Sequence, residues 1–193
     1  DQKGLYGFFT HHRYYSVGSH ERLHLTEKFL LKKPTLILDR DGVINKKAPK
    51  AQYITKWENF EWMPKAKEAI QKLSEKYQLL IVSNQAGIAR GMMSFEDLEQ
   101  IHLQMCKELE VEGNNIIQKI YVCPHGWDEG CFCRKPKPGM FFEAQKEYHL
   151  DLSEIYYIGD DERDEIAAHS AGCKFIMADE TKTLFDIVIE KLI

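Results

Sequence analysis

From residue 35 onward, short apolar runs alternate with stripes of apolar residues at helical spacing. Thr35-Leu36-Ile37-Leu38 is an apolar, β-branched run that stops at Asp39-Arg40-Asp41-Gly42-Val43. It reads as a fully buried strand closed by a turn signal. Leu79-Leu80-Ile81-Val82, Ile116 to Val122, Ile155-Tyr156-Tyr157-Ile158 and the short Phe175-Ile176-Met177 repeat that character. Between them lie helices. Pro64 opens one in the favoured first-turn position, with Ala66, Ala69, Ile70, Leu73 and Tyr77 on one face. Ser94 with Asp97 three residues later resembles a capping box ahead of Leu98, Ile101, Met105 and Leu109. His102 and Cys106 share a side of that helix and read as core or boundary residues. Further helices are expected from about Gly139 to His149, around Ile166, Ala167 and Ala168, and over Thr181 to Ile193, with Leu184, Ile187, Val188 and Leu192 inward.

Strands alternating with helices predict an α/β fold, a doubly wound Rossmann-like parallel sheet. In such a sheet ligands bind beyond the carboxyl ends of the strands. The lysine-rich stretch Asn45 to Asn59, with Pro49, is expected to loop over that edge and shape access to it. Trp57, Phe60 and Trp62 would anchor its return.

Composition narrows the partners. The chain has 193 residues, 44% hydrophobic and 29% charged, room for one domain with a core and an appendage. A formal net charge of −4 gives no sign of a nucleic-acid surface. No apolar run is long enough to span a bilayer, and nothing at the start resembles a signal peptide, so a cytoplasmic protein is expected. The first residue is Asp rather than Met, which points to a trimmed chain or a fragment. Cys123, Cys131 and Cys133 cluster, with Cys106 and Cys173 apart; an odd count of five argues for a metal site over a disulfide framework.

Four strand ends carry polar groups suited to phosphate chemistry: Asp39 and Asp41, Ser83, Arg134-Lys135, and Asp160. Two neighbouring carboxylates repel unless a cation neutralises them, and magnesium is the hard, oxygen-seeking cation usual beside phosphate. Taken alone, Asp39-Arg40-Asp41-Gly42 is equally a turn; the three other strand ends tip the balance.

These residues resemble the motifs of the haloacid dehalogenase superfamily of phosphohydrolases over roughly residues 35–178: Asp39-Arg40-Asp41-Gly42-Val43, then Ser83, then Lys135, then Gly159-Asp160-Asp161-Glu162-Arg163-Asp164. The resemblance implies Asp39 as nucleophile, Asp41 as general acid and base, Ser83 and Lys135 on the phosphoryl oxygens, and a magnesium ion held by Asp39, the Asp41 carbonyl and Asp160. It implies no large cap domain. Asp164 would sit in the second layer around the metal or favour the helix N-terminus, the latter being the better fit.

Ser83-Asn84-Gln85-Ala86-Gly87-Ile88-Ala89-Arg90-Gly91 and Cys133-Arg134-Lys135-Pro136-Lys137-Pro138-Gly139-Met140 are similar to the D-glycero-D-manno-heptose 1,7-bisphosphate phosphatases and their cousins, the histidinol-phosphate phosphatases. That likeness implies a zinc loop using Cys123, His125, Cys131 and Cys133, with Arg134 gripping the sugar or a second phosphate and Asn84 and Gln85 binding substrate. Two features depart from the heptose pattern. The zinc loop is short, and Asp161 stands where a lysine is common. Expected partners are a small-molecule sugar phosphate, with no nucleic acid and no membrane.

Residues 1–33 differ from the rest, being aromatic and rich in histidine, while 34–193 form the phosphatase-like domain. Tyr14-Tyr15-Ser16-Val17-Gly18-Ser19-His20-Glu21-Arg22-Leu23 resembles the closing part of a sugar-phosphate nucleotidyltransferase. This implies a fusion to, or partnership with, such an enzyme. Alternatives of another class are a phospho-acceptor regulatory domain and a zinc-stapled module with a dead site.

Overall fold

The computed structural model describes residues 22–23, 33–49 and 52–193. The chain divides into two compact units, Asp1–Lys32 and Lys33–Ile193. The nucleotidyltransferase-like segment falls outside the described residues, apart from Arg22 and Leu23.

In the second unit five strands form one parallel sheet: β1 (Thr35–Leu38), β2 (Gln78–Asn84), β3 (Ile117–Cys123), β4 (Tyr156–Gly159) and β5 (Lys174–Met177), in the order β3-β2-β1-β4-β5. The chain winds outward from β1 through β2 to β3, then returns to the other flank of β1 with β4. The strand order therefore reverses at β1 and β4, and a crevice opens beyond their carboxyl ends. Side chains alternate across the sheet. Leu36 and Leu38 pack with α1 (Ala66–Lys76), α2 (Phe95–Leu109) and the C-terminal helix; Ile37 packs with α3 (Gly139–Tyr148) and α4 (Glu162–Ala171). All three strand residues are fully buried. Each such aliphatic side chain contributes roughly 1.5–3 kcal/mol. Coverage on both faces is why the strands read as unbroken apolar runs.

Local chemistry sets the helix ends. Ser94 and Asp97 form both halves of the capping box at α2. α1 starts later than the proline rule suggests: Pro64 lies in a turn closed by Ala66 N–H to the Met63 carbonyl at 3.0 Å, with Lys65 in a left-handed conformation at φ 57°. The final helix is shorter than its apolar stripe. A side-chain turn at Asp179 holds the amides of Thr181 and Lys182, and α5 (Leu184–Ile187) begins at a second capping box, Thr183 with Asp186, before a π-helical turn over Val188–Leu192.

The stretch after β1 returns over the sheet edge. Asn45 bridges to Trp62, and Trp57 stacks on Phe60 at 4.7 Å, with Trp62 edge-on at 5.1 Å. This aromatic trio packs against the core and fixes the loop whose residues Lys47, Ala48, Tyr53 and Ile54 face the crevice.

Candidate active site

A pocket of about 500 Å³ opens over the carboxyl ends of β1, β2 and β4, and Asp39, Asp41, Ser83, Asn84, Gln85, Arg134 and Lys135 all line it. Asp39 extends the β1 ladder, its amide donating to the Ile158 carbonyl at 2.8 Å. Its Oδ1 accepts from the Arg40 amide at 2.7 Å and from Lys135 Nζ at 2.8 Å. The lysine lies 2.7 Å from Asp164 Oδ1 and donates to the Tyr157 hydroxyl at 2.9 Å and the Val82 carbonyl at 3.3 Å. It is only 3% exposed. Burial works against its charge, but Asp39 and Asp164 together hold its pKa above the usual lysine value.

Asp39, Asp160 and Asp164 bring carboxylate oxygens within 4.8 Å of one another. Burial pushes Asp39 and Asp160 above the usual carboxylate range, with the Asp164 charge adding to it, against Lys135 at Asp39 and Lys47 at Asp160. Lys47 Nζ lies 2.6 Å from Asp160 Oδ2, whereas Asp160 Oδ1 is buried with no hydrogen-bond partner. A buried acceptor without a donor, beside two further carboxylates, suits a hard divalent cation. Asp41 gives no carboxylate to this cluster. Its oxygens are held by Arg40 Nη2 at 2.9 Å to each, Asn45 Nδ2 at 2.8 Å and Gln85 Nε2 at 2.7 Å. Burial opposes ionisation there, yet the Arg40 charge and these donors hold Asp41 below the usual range.

Gly42 makes the approach of Asp160 possible. At φ +98° it sits where L side chains are strained, and a Cβ there would fall 1.8 Å from Asp160 Oδ2. Gly42→Ala is expected to push that carboxylate aside and weaken magnesium binding at least about tenfold, roughly 1.4 kcal/mol. Calorimetric titration with Mg²⁺ measures it, and an unchanged affinity would show that Asp160 does not hold the ion.

Several neighbours serve the site in ways the sequence leaves open. Asn84 clamps the Lys135 backbone, accepting from its amide at 3.0 Å and donating to its carbonyl at 3.1 Å. Gln85 Nε2 also donates to Ser83 Oγ at 2.8 Å. Both amides are thus committed to site residues, although both side chains border the pocket. Asp164 is 2% exposed, and its Oδ2 accepts from the Asp160 amide at 3.1 Å. The helix-terminus reading of Asp164 is corrected: it is part of the buried network. Asp161 instead caps α4 and grips Arg163 with both oxygens at 2.8 Å, which holds it far below the carboxylate range. Arg40, Asn45, Tyr157 and His102 escape a motif reading. The one signal for Arg40 was a full charge placed where a strand is buried.

The cysteine loop follows β3. Cys123 Sγ lies 3.6 Å from His125 Nδ1 and 3.7 Å from Cys131 Sγ; Cys133 Sγ lies 3.2 Å from both Cys123 Sγ and His125 Nδ1. Four donors within 4.8 Å of one another match a tetrahedral set of three thiolates and an imidazole. Burial and crowding by Cys133 push the Cys123 thiol up to about 12, a penalty that a bound cation would reverse. The loop carries Trp127 to the pocket rim, where the guanidinium groups of Arg90 and Arg134 each lie 5.7 Å from its ring centre. Arg134 Nη1 is tied to the His125 carbonyl at 3.1 Å.

A buried carboxylate against a lysine, beside a carboxylate cluster at the switch point of a doubly wound sheet, is an arrangement suited to phosphate chemistry. A family model described as polynucleotide kinase 3 phosphatase matches residues 35–182. The D-glycero-beta-D-manno-heptose-1,7-bisphosphate 7-phosphatase of Pseudomonas aeruginosa is 41% identical over 143 residues, covering 74% of this chain and 79% of that protein. The alpha-anomer enzyme of Photorhabdus laumondii is 37% identical over 143 residues, covering 70% and 76%. A crystal structure of the D,D-heptose 1,7-bisphosphate phosphatase from B. bronchiseptica, complexed with magnesium and phosphate, is 33% identical with a TM-score of 0.71, covering 80% and 85%. The chain belongs to this family of haloacid dehalogenase-type phosphatases.

Proposed function

We propose that this protein hydrolyses a small sugar phosphate, D-glycero-D-manno-heptose 1,7-bisphosphate, at its C7 phosphate through an aspartyl-phosphate on Asp39. The observation that carries this is the Asp39 carboxylate at the pocket floor, 2.8 Å from a buried lysine and beside Asp160 and Asp164. Asp39, the Asp41 carbonyl and Asp160 would hold magnesium, which lowers the repulsion between an anionic nucleophile and an anionic phosphate. An Asp39 oxygen attacks phosphorus as the ester oxygen leaves. Asp41, ionised in the free site, takes up the proton of the incoming phosphate monoester, delivers it to that oxygen and later takes one from the water that cleaves the acyl phosphate. Ser83 and Lys135 bind the phosphoryl oxygens as charge builds on them. Arg90 and Arg134 supply positive charge to the pocket lining, where a second phosphate would be held.

The 11-residue span from Cys123 to Cys133 is short, which favours histidinol phosphate as the second reading. The negative net charge counts against a polynucleotide end. A phosphate-release assay over heptose 1,7-bisphosphate, histidinol phosphate and a 3′-phosphorylated oligonucleotide, with and without Mg²⁺, separates the three. Heptose bisphosphate is expected to lead in kcat/KM and to need the metal. A lead for either other substrate reverses the assignment. The same reading puts the reaction in the cytoplasm, toward nucleotide-activated heptose, with a nucleotidyltransferase as fused or partner enzyme.

The cysteine loop is proposed to hold a structural zinc. Stripping it with a strong chelator, or making Cys131→Ser, is expected to remove zinc by elemental analysis and to lower Tm by about 5–10 °C. A zinc-free protein as isolated, with unchanged Tm after chelation, would refute the site.

A further inference from the structure

Arg40 is fully buried at the end of β1 and lines no part of the pocket. Its Nε and Nη2 edge grips Asp41, while Nη1 lies 3.1 Å from His102 Nε2 on α2. An arginine has no acceptor, so Nη1 donates and His102 receives through an unprotonated Nε2. Burial, and then the Arg40 charge, hold the imidazole neutral, with a pKa near 3. His102 faces a separate groove between α2 and β3, with Leu98, Leu103 and Cys106. Neither residue therefore touches a molecule bound in the substrate pocket. Burying a guanidinium is costly, and an apolar pair could fill the same space without that penalty. The guanidinium contacts both oxygens of Asp41, whose side chain is 25% exposed, and adds to the hold of Asn45 and Gln85 on the same carboxylate.

We propose that Arg40 and His102 are positioning residues for the general acid. The guanidinium is a rigid plane, and a bond at Nη1 on one side together with the Asp41 grip on the other fixes its roll. Without the His102 acceptor the plane turns, and the Asp41 carboxyl loses its aim at the departing ester oxygen. This rests on the acid role given to Asp41 above.

The signature is leaving-group dependence. An alkyl alcohol must be protonated as it departs, whereas p-nitrophenolate leaves without help. Since kcat/KM reports steps up to the first irreversible departure, the aryl-to-alkyl ratio isolates the acid. For His102→Ala, kcat/KM on the alkyl phosphate that wild type turns over best is expected to fall about tenfold, part of the 10²–10⁴ a general acid supplies. With p-nitrophenyl phosphate the loss should stay under about twofold, so the ratio rises. His102→Gln, which offers an acceptor oxygen at similar reach, should restore most of it. Equal losses on both substrates, or none on either, overturn the proposal. Asp41→Asn is the reference: if its ratio does not rise, the acid role itself fails; if it rises while that of His102→Ala stays flat, only the positioning role fails.

Discussion

Asp39→Asn is expected to abolish phosphate release, lowering kcat by about 10⁴-fold or more, the scale seen when a nucleophile is removed. An amide is nearly isosteric with the carboxylate but does not attack phosphorus. Its oxygen can still accept from the Arg40 amide and from Lys135, the two donors that Asp39 Oδ1 holds. Lys135 keeps Asp164 at 2.7 Å. The fold should therefore survive, with Tm moving by only a few degrees. Phosphate release and thermal unfolding on the same preparation check both halves. Turnover within tenfold of wild type would remove Asp39 from the chemistry. Stable phosphorylation of the wild-type protein without turnover would instead favour the regulatory-domain reading.

Lys135→Met carries the second large effect, and here stability and rate fall together. The lysine is the cation between two buried carboxylates, Asp39 and Asp164. Removing one partner of a buried ion pair costs about 3–5 kcal/mol. In a protein of this size that lowers Tm by roughly 10 °C. With the role on the phosphoryl oxygens proposed for Lys135, its loss should cost a further 10²–10³ in kcat. The double variant Lys135→Met with Asp164→Asn separates the terms. Removing the stranded charge should return part of the lost stability and none of the rate. A double variant no more stable than Lys135→Met would show that the pair is not the source of the destabilisation.

The strands were legible because burial on both faces leaves a one-dimensional mark, an unbroken apolar run stopping at polar residues. The Ser94 capping box was legible for a similar reason: both of its bonds lie within four residues. Asp164 shows where such reading ends. A carboxylate in the first turn of a helix fits a dipole argument at once, and only the tertiary neighbours Lys135 and Tyr157 reveal it as part of the site. Asn84 is similar. Beside Ser83 it looks like a substrate ligand, but its partner is a backbone 51 residues away. Arg40 was hidden by its position as the variable residue of a motif. The start of α1 was misjudged because Pro64 is equally suited to the turn that precedes a helix.

The register of the sheet has a consequence for how the molecule matures. Leu36 pairs with Leu79 on one flank and Tyr156 on the other. As the polypeptide emerges, the central strand gains its first neighbour early and waits some 120 residues for the second. Until then one row of its peptide groups stays open to solvent or to another unfinished chain. Asp39 and Asp160 lie on either side of that late seam, so the carboxylate cluster they share with Asp164 comes together only after β4 has docked on β1.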